Sequence, residues 1–309
     1  MRILVTGGAG FIGSHITRDL MSAGHEVAVI DDLSSGKREN LAEGARFFEV
    51  DIRDADAVEG AFAEFRPEAV SHQAAQTSVS VSTREPIRDA DINVLGAIQV
   101  LEAAKRHQVE RLIFASTGGA IYGEIPEGQS AKVGWPTLPK SPYACSKLAF
   151  EAYLRAEEDV SCQVLRYANV YGPRQDPHGE AGVVAIFAQR LLSKKPISVF
   201  AKRELGDAGC IRDYVFVSDV VSAHRRALQD KSLPFIVNVG TGVGTSTQGV
   251  AENILAHLDP EAHLAFGPVR AGDLERSVLH PSEELDLTLT PLATGLKETS
   301  DWFAAQSKT

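Results

Sequence analysis

Short apolar runs alternate with helical periodicities through the first half of the chain. Each run has the length of a buried strand, and apolar residues between the runs recur at helical spacing. The runs that predict strands are Arg2–Thr6, His25–Ile30, Arg46–Val50, Ala69–His72, Arg111–Ala115 and Cys162–Tyr167. Helices are predicted from Ile12 and near 55–65, 84–107 and 142–157. The alternation indicates an α/β fold, with a doubly wound parallel sheet covered by helices on both faces.

The pattern loosens after about residue 174, where prolines and glycines are frequent and apolar runs are shorter. The segment 211–240 differs, because a helical pattern is followed there by a strand, Ile236–Val239, which we expect to return to the main sheet. We therefore predict one α/β domain over 1–174, joined by 211–240, and a smaller α/β region over 175–309.

A glycine-rich turn follows the first predicted strand. Gly7, Gly10 and Gly13 are spaced three residues apart, and a helical pattern begins at Phe11 and Ile12. Small residues let the backbone N–H groups of a helix N-terminus approach a pyrophosphate, whose negative charge the helix dipole favours. The sequence therefore predicts a dinucleotide site. A tight strand-to-helix turn without a ligand is the alternative.

The second predicted strand leads directly into Asp31 and Asp32. A carboxylate at this point can accept hydrogen bonds from both hydroxyls of an adenosine ribose, and it repels a 2′-phosphate. Asp31 therefore favours NAD over NADP, unless it is an ordinary surface carboxylate. Because ligands bind at the carboxyl ends of parallel strands, we expect the residues that follow the other strands to gather at the same edge. These are Asp51, His72–Ala75, Ser116–Thr117 and Tyr167–Asn169.

A tyrosine and a lysine one helical turn apart form the second chemical signal. Ser141 can cap a helix that begins at Pro142, which places Tyr143 in the first turn and Lys147 on the same face. The helix N-terminus and the ammonium both favour phenolate, which a tyrosine base needs because its ordinary pKa is about 10. Thr117 adds a hydroxyl that can bond a sugar hydroxyl or a developing ketone. An ordinary surface helix has the same spacing, and the dinucleotide turn upstream favours the catalytic interpretation.

Composition describes an ordinary globular protein. The 309 residues are 44% hydrophobic and 23% charged, with a formal net charge of −10. This acidity argues against general binding to nucleic acid or to acidic membranes. The odd number of cysteines, the lack of a signal-peptide pattern and the lack of a long apolar run predict a cytoplasmic protein without a membrane span. We expect no metal, since His178 and Glu180 lie close together without a convincing third ligand.

These motifs occur together and in order, and the chain resembles the extended short-chain dehydrogenase/reductases, in particular the NAD-dependent sugar-nucleotide epimerase/dehydratase group. The resemblance extends from Met1 to about Ser282. Besides the segments above, it is carried by Asn93, Arg166–Arg174, Arg212–Val215, Asn238–Gly242 and Arg270–Asp273. It implies a Rossmann-type fold with a smaller substrate-binding region, bound NAD, and a homodimer joined through the helices near 84–107 and 142–157.

The resemblance implies a cofactor site formed mainly by the first half of the chain. The glycine turn would line the pyrophosphate, Asp31 would hold the adenosine ribose, and Asp51 and Ile52 would contact adenine. Tyr167 would lie near the nicotinamide. The implied cofactor residues are Gly7, Gly10, Phe11, Ile12, Gly13, Asp31, Asp32, Ser35, Gly36, Asp51, Ile52, Gln73, Ala74, Ala75, Gln76, Asn93, Ala115, Ser116, Tyr143, Lys147 and Tyr167.

A UDP-sugar is the substrate that the resemblance implies. Arg212 and Arg270 would grip its diphosphate, since a guanidinium donates paired hydrogen bonds to phosphate oxygens. The implied substrate residues are Thr117, Asn169, Val183, Val184, Phe200, Arg212, Arg270 and Asp273. A structural ion pair of Arg212 with Asp213 or Asp219 is the alternative.

The implied reaction inverts C4 of a UDP-hexose such as UDP-glucose or UDP-galactose. Tyr143, assisted by Lys147 and Thr117, would take the proton of the 4-hydroxyl while hydride passes to NAD. The 4-keto sugar would then turn, and hydride would return to its opposite face.

Two departures from the family pattern affect these expectations. The family carries a serine or threonine after the fifth strand. Counted back from Tyr122, this position is Gly118, whereas counted forward from the strand Arg111–Ala115 it is Thr117. One extra glycine in the loop accounts for the difference, and we favour Thr117. Gln76 stands where many relatives carry lysine, which puts one cofactor phosphate contact in doubt.

Other functions remain open at this point. Dehydratases of this fold carry Asp-Glu where this chain has Gly118 and Gly119, so dehydration is disfavoured. Ser277 is small where some relatives are bulky, which leaves room for a UDP-N-acetylhexosamine, and a UDP-uronate is a further option. A non-catalytic NAD-binding sensor is the alternative from a different class.

Overall fold

The computed structural model describes residues 1–177, 182–270 and 272–307. The chain forms two compact units, whose segments interleave along the sequence. Unit 1 comprises Met1–Thr117, Ser141–Arg166 and Val221–Val237, and unit 2 comprises Gly118–Lys140, Tyr167–Val220 and Asn238–Thr309.

The strands and helices are numbered in chain order. The strands are β1 (Arg2–Thr6), β2 (Glu26–Asp31), β3 (Arg46–Glu49), β4 (Ala69–His72), β5 (Arg111–Thr117), β6 (Ser161–Tyr167), β7 (Asn169–Tyr171), β8 (Ile197–Phe200), β9 (Ile211–Phe216), β10 (Ile236–Val239), β11 (Gly244–Ser246), β12 (Leu264–Gly267) and β13 (Arg276–Ser277). The α-helices are α1 (Phe11–Ser22), α2 (Ala55–Phe65), α3 (Val79–Arg84), α4 (Pro86–Ala90), α5 (Ala97–Arg106), α6 (Gly118–Ile121), α7 (Pro142–Arg155), α8 (Val183–Leu192), α9 (Val217–Gln229), α10 (Thr247–Leu258) and α11 (Leu292–Gln306). Short 3₁₀ helices span Arg38–Asn40 and Glu283–Leu285, and a π-helix spans Asp91–Gly96.

Unit 1 is built on a seven-stranded sheet with the order β10-β6-β5-β4-β1-β2-β3. The pairs that β1 makes with β2 and β4 are parallel, as are β2 with β3 and β4 with β5. The chain winds outward from β1 to β3 and then returns to β4 on the other side of β1. Ligands of such sheets bind at this switch point, at the carboxyl ends of the strands. The predicted doubly wound sheet is confirmed, and Ile236–Val239 forms β10 beside β6 at one edge of it.

One predicted helix is interrupted. The pattern over 84–107 predicts a continuous helix, but the chain forms α4, the π-helix and then α5. The wider π turn contains Asn93, whose amide bonds to the backbone of Gln76, and ends at Gly96, where a side chain would meet Ile52 at 2.9 Å. The Asn93–Gln76 hydrogen bond and the close approach of Gly96 to Ile52 therefore accompany the π turn. A pattern of hydrophobic residues contains no information on either contact.

Unit 2 has shorter strands. Its larger sheet has the order β11-β9-β13, with β7 also paired to β9, and a second sheet pairs β12 with β8. Helices α8, α10 and α11 pack together, with Ala185, Ala188 and Phe303 in their shared core.

The two units interleave more than the predicted domains, 1–174 joined by 211–240 and the region over 175–309. Segment 118–140 groups with unit 2 because its backbone bonds to the strand-forming segment near β13. Ile125 N–H donates to the Arg276 carbonyl (3.1 Å), and Ala131 N–H donates to the Val278 carbonyl (2.9 Å). Among the helices of the described residues, none has the length and apolar character needed to cross a membrane.

Candidate active site

The glycine turn after β1 is shaped by close backbone approach. Gly7 has a φ of +71°, and a Cβ there would lie 2.6 Å from the Ala74 nitrogen. A Cβ on Gly13 would collide with the Gly7 carbonyl oxygen. Gly10 is the N-cap residue of α1 and offers no side-chain cap to the first N–H groups of the helix. The turn therefore fits a pyrophosphate, which can accept from those N–H groups without meeting a side chain.

Asp31, at the end of β2, braces this turn. Its carboxylate accepts hydrogen bonds from the N–H groups of Ala9 (2.9 Å) and Leu33 (2.9 Å). Burial raises the pKa of Asp31, and these two hydrogen bonds oppose that effect. Gly36 passes close to the carboxylate, since a Cβ there would lie 2.6 Å from Asp31 Oδ1. Asn40, which the sequence interpretation missed, donates to the Ala9 carbonyl (3.0 Å) and so holds the same residue through its next peptide group.

Four further residues expected at the cofactor differ in burial. Asp32 and Ser35 are exposed, whereas Ile52 is buried. The Asp51 carboxylate accepts from the backbone N–H (2.9 Å) and from Nε (3.0 Å) of Arg53. Arg53 lowers the pKa of Asp51, which is therefore a carboxylate at neutral pH.

A buried histidine joins the ends of β1 and β4. The Thr6 hydroxyl lies 2.7 Å from His72 Nδ1 and accepts from the Ala74 N–H (3.2 Å). The Gln73 N–H donates to the Thr6 carbonyl (3.1 Å). Burial, followed by the nearby Lys147 charge, lowers the pKa of His72 to about 3, so its ring is neutral. At the switch point, the segment His72–Ala74 is therefore bonded to the end of β1.

A second network surrounds Gln76. The Asn93 side chain accepts from the Gln76 N–H (2.9 Å) and donates to the Gln76 carbonyl (2.8 Å). The buried Asp89 carboxylate accepts from Gln76 Nε2 (2.7 Å), Asn93 Nδ2 (3.0 Å) and the Ser146 hydroxyl (2.7 Å). Gln76 and Asn93 are thus brought together as expected. Asp89 was missed, although its spacing of four from Asn93 places both on one helical face.

Helix α7 begins as the sequence predicts. Ser141 caps it by accepting from the Ala144 N–H (3.3 Å), and Pro142 is its first residue. Tyr143 lies in the first turn and is half-buried. Lys147 is only 3% exposed, and its ammonium donates to the Ala115 carbonyl (2.9 Å) near the end of β5. The lysine is therefore fixed to the strand that ends at the candidate hydroxyls.

Ser116, expected at the cofactor, belongs to a buried ion-pair network. Its hydroxyl donates to Glu151 Oε1 (2.5 Å), and Arg166 donates to both oxygens of the same carboxylate. Glu151 lies four residues after Lys147, and this spacing is the sequence signal that could have found it.

The loop after β5 explains which residue carries the hydroxyl. A Cβ on Gly118 would collide with the side chain of Leu279, so this position has no room for a serine or threonine. Leu279 is held by its N–H, which donates to Asp213 Oδ2 (3.3 Å). The geometry supports Thr117, which is partly exposed at the end of β5.

Three residues expected on the substrate side meet in unit 2. Asn169 is exposed at the start of β7, and a Cβ on Gly119 would lie 3.1 Å from Asn169 Oδ1. The Ser277 hydroxyl donates to the Gly119 carbonyl (3.0 Å). Arg212 on β9 is the register partner of Ser277 on β13. The absence of a side chain at Gly119 is therefore what admits the Asn169 amide.

The two carboxylates proposed as ion-pair partners of Arg212 bond elsewhere. Asp213 accepts from the Thr241 N–H (2.9 Å) and hydroxyl (2.6 Å), and burial raises its pKa. Asp219 accepts from the N–H (2.9 Å) and hydroxyl (2.7 Å) of Thr290. Arg212 is half-buried and donates to the Ile211 carbonyl (2.9 Å). These contacts weaken the structural alternative for Arg212.

An aromatic ring and a guanidinium are stacked in unit 2. The Arg270 guanidinium carbon lies 3.5 Å from the centroid of the Phe200 ring, a cation–π contact. The ring also packs against Gly267, where a Cβ would lie 2.9 Å from it. Asp273 is exposed, and its N–H donates to the Arg270 carbonyl at 3.4 Å. These residues are brought together as expected.

Other expected site residues lie deeper or outside the described residues. Tyr167 and Val184 are buried, and Val183 is half-buried at the start of α8. His178 and Glu180 lie outside the described residues. Within residues 1–177, 182–270 and 272–307, no cluster of three or more histidine, cysteine or acidic side chains is arranged to hold a metal ion.

Comparisons with known proteins agree with this geometry. The sequence profile of the NAD dependent epimerase/dehydratase family matches residues 3–240. A UDP-glucose 4-epimerase of Mycolicibacterium smegmatis is 43% identical over 320 residues, with 100% of each chain covered. The crystal structure of the Thermus thermophilus UDP-glucose 4-epimerase in complex with NAD is 53% identical, with a TM-score of 0.94 and coverage of 98% of this chain and 99% of that one. The Thermotoga maritima UDP-glucose 4-epimerase with UDP-glucose is 43% identical, with a TM-score of 0.94 and 99% of each chain covered.

Proposed function

We propose the following chemistry from one premise: the chain belongs to the NAD-dependent epimerase/dehydratase family. The protein is an NAD-dependent isomerase that inverts C4 of a UDP-hexose, interconverting UDP-glucose and UDP-galactose. The observation that carries this function is the pair on α7, where Tyr143 lies in a capped first turn and the buried Lys147 is fixed to the end of β5.

The residues of unit 1 fit NAD. The N–H groups at the start of α1 would hold the pyrophosphate, and Asp31 would hold the adenosine ribose as it braces the turn. Gln76 and Asn93 would flank the middle of the cofactor. When bound, NAD supplies the acceptor and donor for the hydride of the sugar C4.

The proton is handled by side chains of this chain. Tyr143 as phenolate takes the proton of the 4-hydroxyl and later returns it to the 4-oxygen. The ammonium of Lys147 stabilises the phenolate, since an opposite charge nearby favours ionisation. Thr117 donates to the oxygen of the developing ketone, which stabilises the negative charge that forms there.

The nucleotide is held by residues of unit 2. Arg212 and Arg270 bind the diphosphate, with Asn169 beside it, while Phe200 packs on uracil and Asp273 accepts from the ribose of UDP. Firm binding of the nucleotide leaves the sugar free to turn, which inversion at C4 requires.

The test is turnover of UDP-galactose by the purified protein loaded with NAD, with UDP-glucose measured by chromatography. We expect Tyr143→Phe to lose about 10²–10⁴-fold in kcat, the range for removing a general base. Tyr153→Phe is the control, because Tyr153 is an exposed tyrosine on the same helix. Binding of NAD and UDP without any turnover by the wild-type protein would contradict the proposal and favour a sensor.

A second substrate class is favoured by one observation. Ser277 is small and buried, and it bonds to Gly119, which has no side chain. We propose that this site also accepts a UDP-N-acetylhexosamine. Ser277→Tyr should abolish turnover of UDP-N-acetylglucosamine while UDP-galactose turnover persists. Equal loss of both activities would contradict this proposal.

We also propose that the protein is a cytoplasmic homodimer. Apolar side chains project from the segment 84–107, with Ile87 exposed by 85% and Leu95 by 56%. The three cysteines are free thiols, as a reducing compartment favours. Sedimentation equilibrium of the wild-type protein and of Ile87→Glu tests the dimer, since a charge in an apolar interface should shift the variant toward monomer. A monomeric wild-type protein would contradict it.

A further inference from the structure

Asp89 is a fully buried carboxylate with 0% exposure, and it lies outside every motif described above. Its donors are the Gln76 amide, the Asn93 amide and the Ser146 hydroxyl, all of which are uncharged. A buried carboxylate is costly unless hydrogen bonds satisfy it. The position of these donors indicates what the carboxylate does.

The two oxygens of Asp89 face different parts of unit 1. Oδ1 accepts from Gln76 (2.7 Å) and Asn93 (3.0 Å), which belong to the segment after β4 and to the π-helix. Oδ2 accepts from Ser146 (2.7 Å) on α7, the residue directly before Lys147 and three after Tyr143. The carboxylate therefore bridges the segment that would flank the cofactor and the helix that carries the base.

The chain deforms to make this bridge. The π-helix Asp91–Gly96 begins two residues after Asp89 and contains Asn93. Single π turns inside α-helices occur frequently at functional sites. Here the π turn lets Asp89 and Asn93 bond to the same glutamine, while α4 and the π-helix both pack against α7.

We propose that Asp89 is a positioning residue for the epimerase reaction: it fixes the axial position of α7, and so the Tyr143 oxygen, relative to the cofactor segment at Gln76. This inference rests on the proposed function. Asp89 acts through Ser146, not on the substrate. A misplacement of about 1 Å in a reacting group can cost about 10²-fold in rate, so such a bridge has a measurable effect.

Two substitutions separate the positioning role of Asp89 from an effect of its negative charge. In Asp89→Asn, Oδ1 can still accept from Gln76 and Asn93, and Nδ2 can donate to the Ser146 hydroxyl, which then accepts. The amide therefore preserves the bridge without the charge. Asp89→Leu has a similar size but removes every acceptor of the bridge. The Gln76 and Asn93 amides keep one hydrogen bond each, to the Ser78 and Gln76 carbonyls, but lose the other, and the Ser146 hydroxyl loses its acceptor.

The experiment compares Asp89→Asn, Asp89→Leu and Ser146→Ala as NAD-loaded proteins. We expect Asp89→Asn to keep kcat within about threefold, Asp89→Leu to lose about 10²-fold and Ser146→Ala to lose about tenfold, with KM for UDP-galactose unchanged in each. Ser82→Ala is the control, because Ser82 is a fully buried serine that bonds within its own helix, to the Val79 carbonyl (2.7 Å).

A second readout needs no sugar. The ultraviolet difference between each protein and its Tyr143→Phe counterpart reports the ionisation of that phenol as pH rises. Ser146→Ala changes no charge, so a rise in the phenol pKa would show that Tyr143 has moved from the influences that favour phenolate. Equal loss of kcat in Asp89→Asn and Asp89→Leu would overturn the proposal. A Ser146→Ala protein whose kcat and phenol titration are both unchanged would also overturn it. This second test does not depend on Asp89→Leu and therefore remains decisive if that variant does not fold.

The proposed function can fail separately. If the wild-type protein does not convert UDP-galactose, the function is wrong. The phenol titration then still tests the positioning role of Asp89, because it uses neither the sugar nor its turnover.

Discussion

The candidate site residues of unit 1 and those of unit 2 differ in burial and in how many of them are held by hydrogen bonds within the protein. In unit 1, Asp89, Lys147 and Ser116 are buried and bonded to other residues of the same unit. In unit 2, Arg270 and Asp273 are exposed. These groups surround the proposed base and are fixed in advance, which lowers the cost of reorganisation during the reaction. Groups proposed to hold the nucleotide can be ordered by the nucleotide itself, at a cost in affinity.

This difference has a consequence for substitutions. A change among the buried groups of unit 1 leaves partners unpaired in the interior, so it should lower stability or kcat. A change among the exposed groups of unit 2 leaves them in water, so it should raise KM and leave the fold intact. The tightly packed glycines follow neither rule in either unit. A side chain at such a position would collide with neighbouring atoms, so its substitution should disturb the local backbone.

The largest effect is expected for Glu151→Gln in unit 1. The substitution leaves the buried Arg166 guanidinium without the charge of Glu151, which costs about 3–5 kcal/mol in the free energy of unfolding. Urea denaturation measures this loss. Glu59→Gln is the control, because Glu59 makes an exposed ion pair with Arg106 and lies within hydrogen-bond distance of the His107 ring, so its loss should change stability little. A Glu151→Gln protein as stable as wild type would break the comparison.

The next effect is expected for Lys147→Met. The methionine fills similar space over the Phe114 ring but removes the ammonium and its hydrogen bond to the Ala115 carbonyl. We expect kcat to fall by about 10²-fold, the lower range for losing support of a general base. Steady-state kinetics with UDP-galactose measures it. A change confined to KM would place the lysine among the binding groups and contradict its role.

A smaller effect is expected for the arginines of unit 2. Arg212→Ala and Arg270→Ala should each weaken UDP binding by about 1.5–3 kcal/mol, since each removes hydrogen bonds to a charged group. Calorimetric titration with UDP measures the affinity, and urea denaturation should show no loss of stability. Arg203→Ala is the control, because Arg203 is an exposed arginine of unit 2 paired with Glu275. Unfolding of either variant would show that these arginines are structural.

The smallest effect per residue is that of lowering the pH by one unit below 6.5. Burial lowers the pKa of His72 and of His224 in unit 1 to about 3 from 6.5. Unfolding lets both rings bind protons below pH 6.5, so stability falls as pH drops from 6.5 toward 3 by up to about 1.4 kcal/mol per pH unit for each ring. Asp213 in unit 2 acts in the opposite sense, because burial raises its pKa and its folded form retains a proton more readily.

Urea midpoints at neutral and mildly acidic pH measure this dependence. His224→Leu should reduce it, since the Nε2 of His224 is buried without a partner. A wild-type protein whose stability is the same at both pH values would show that the histidines do not carry the effect.

The parts of the site that could be predicted from the sequence are those set by residues close together along the chain. The close approach at Gly7 and the capped start of α7 follow from local spacing and residue type. Spacing places Asp89 and Glu151 on the helical faces of Asn93 and Lys147, but it does not show that they are buried, because a charged residue on a helix is usually solvated. Only the fold shows that their partners lie inside unit 1, where Ser146 is 57 residues from Asp89 along the chain.

The sequence by itself determined the winding of the sheet, the glycine turn and the helix that carries Tyr143 and Lys147. These depend on strand length, helical period and caps, which involve residues within about one or two turns of each other. The tertiary structure decided that Leu279 excludes a side chain at Gly118, that Arg270 stacks on Phe200 and that Asp89 joins two elements. A buried polar or bulky group takes whatever partner the folded chain brings to it, and that partner is not encoded in local spacing.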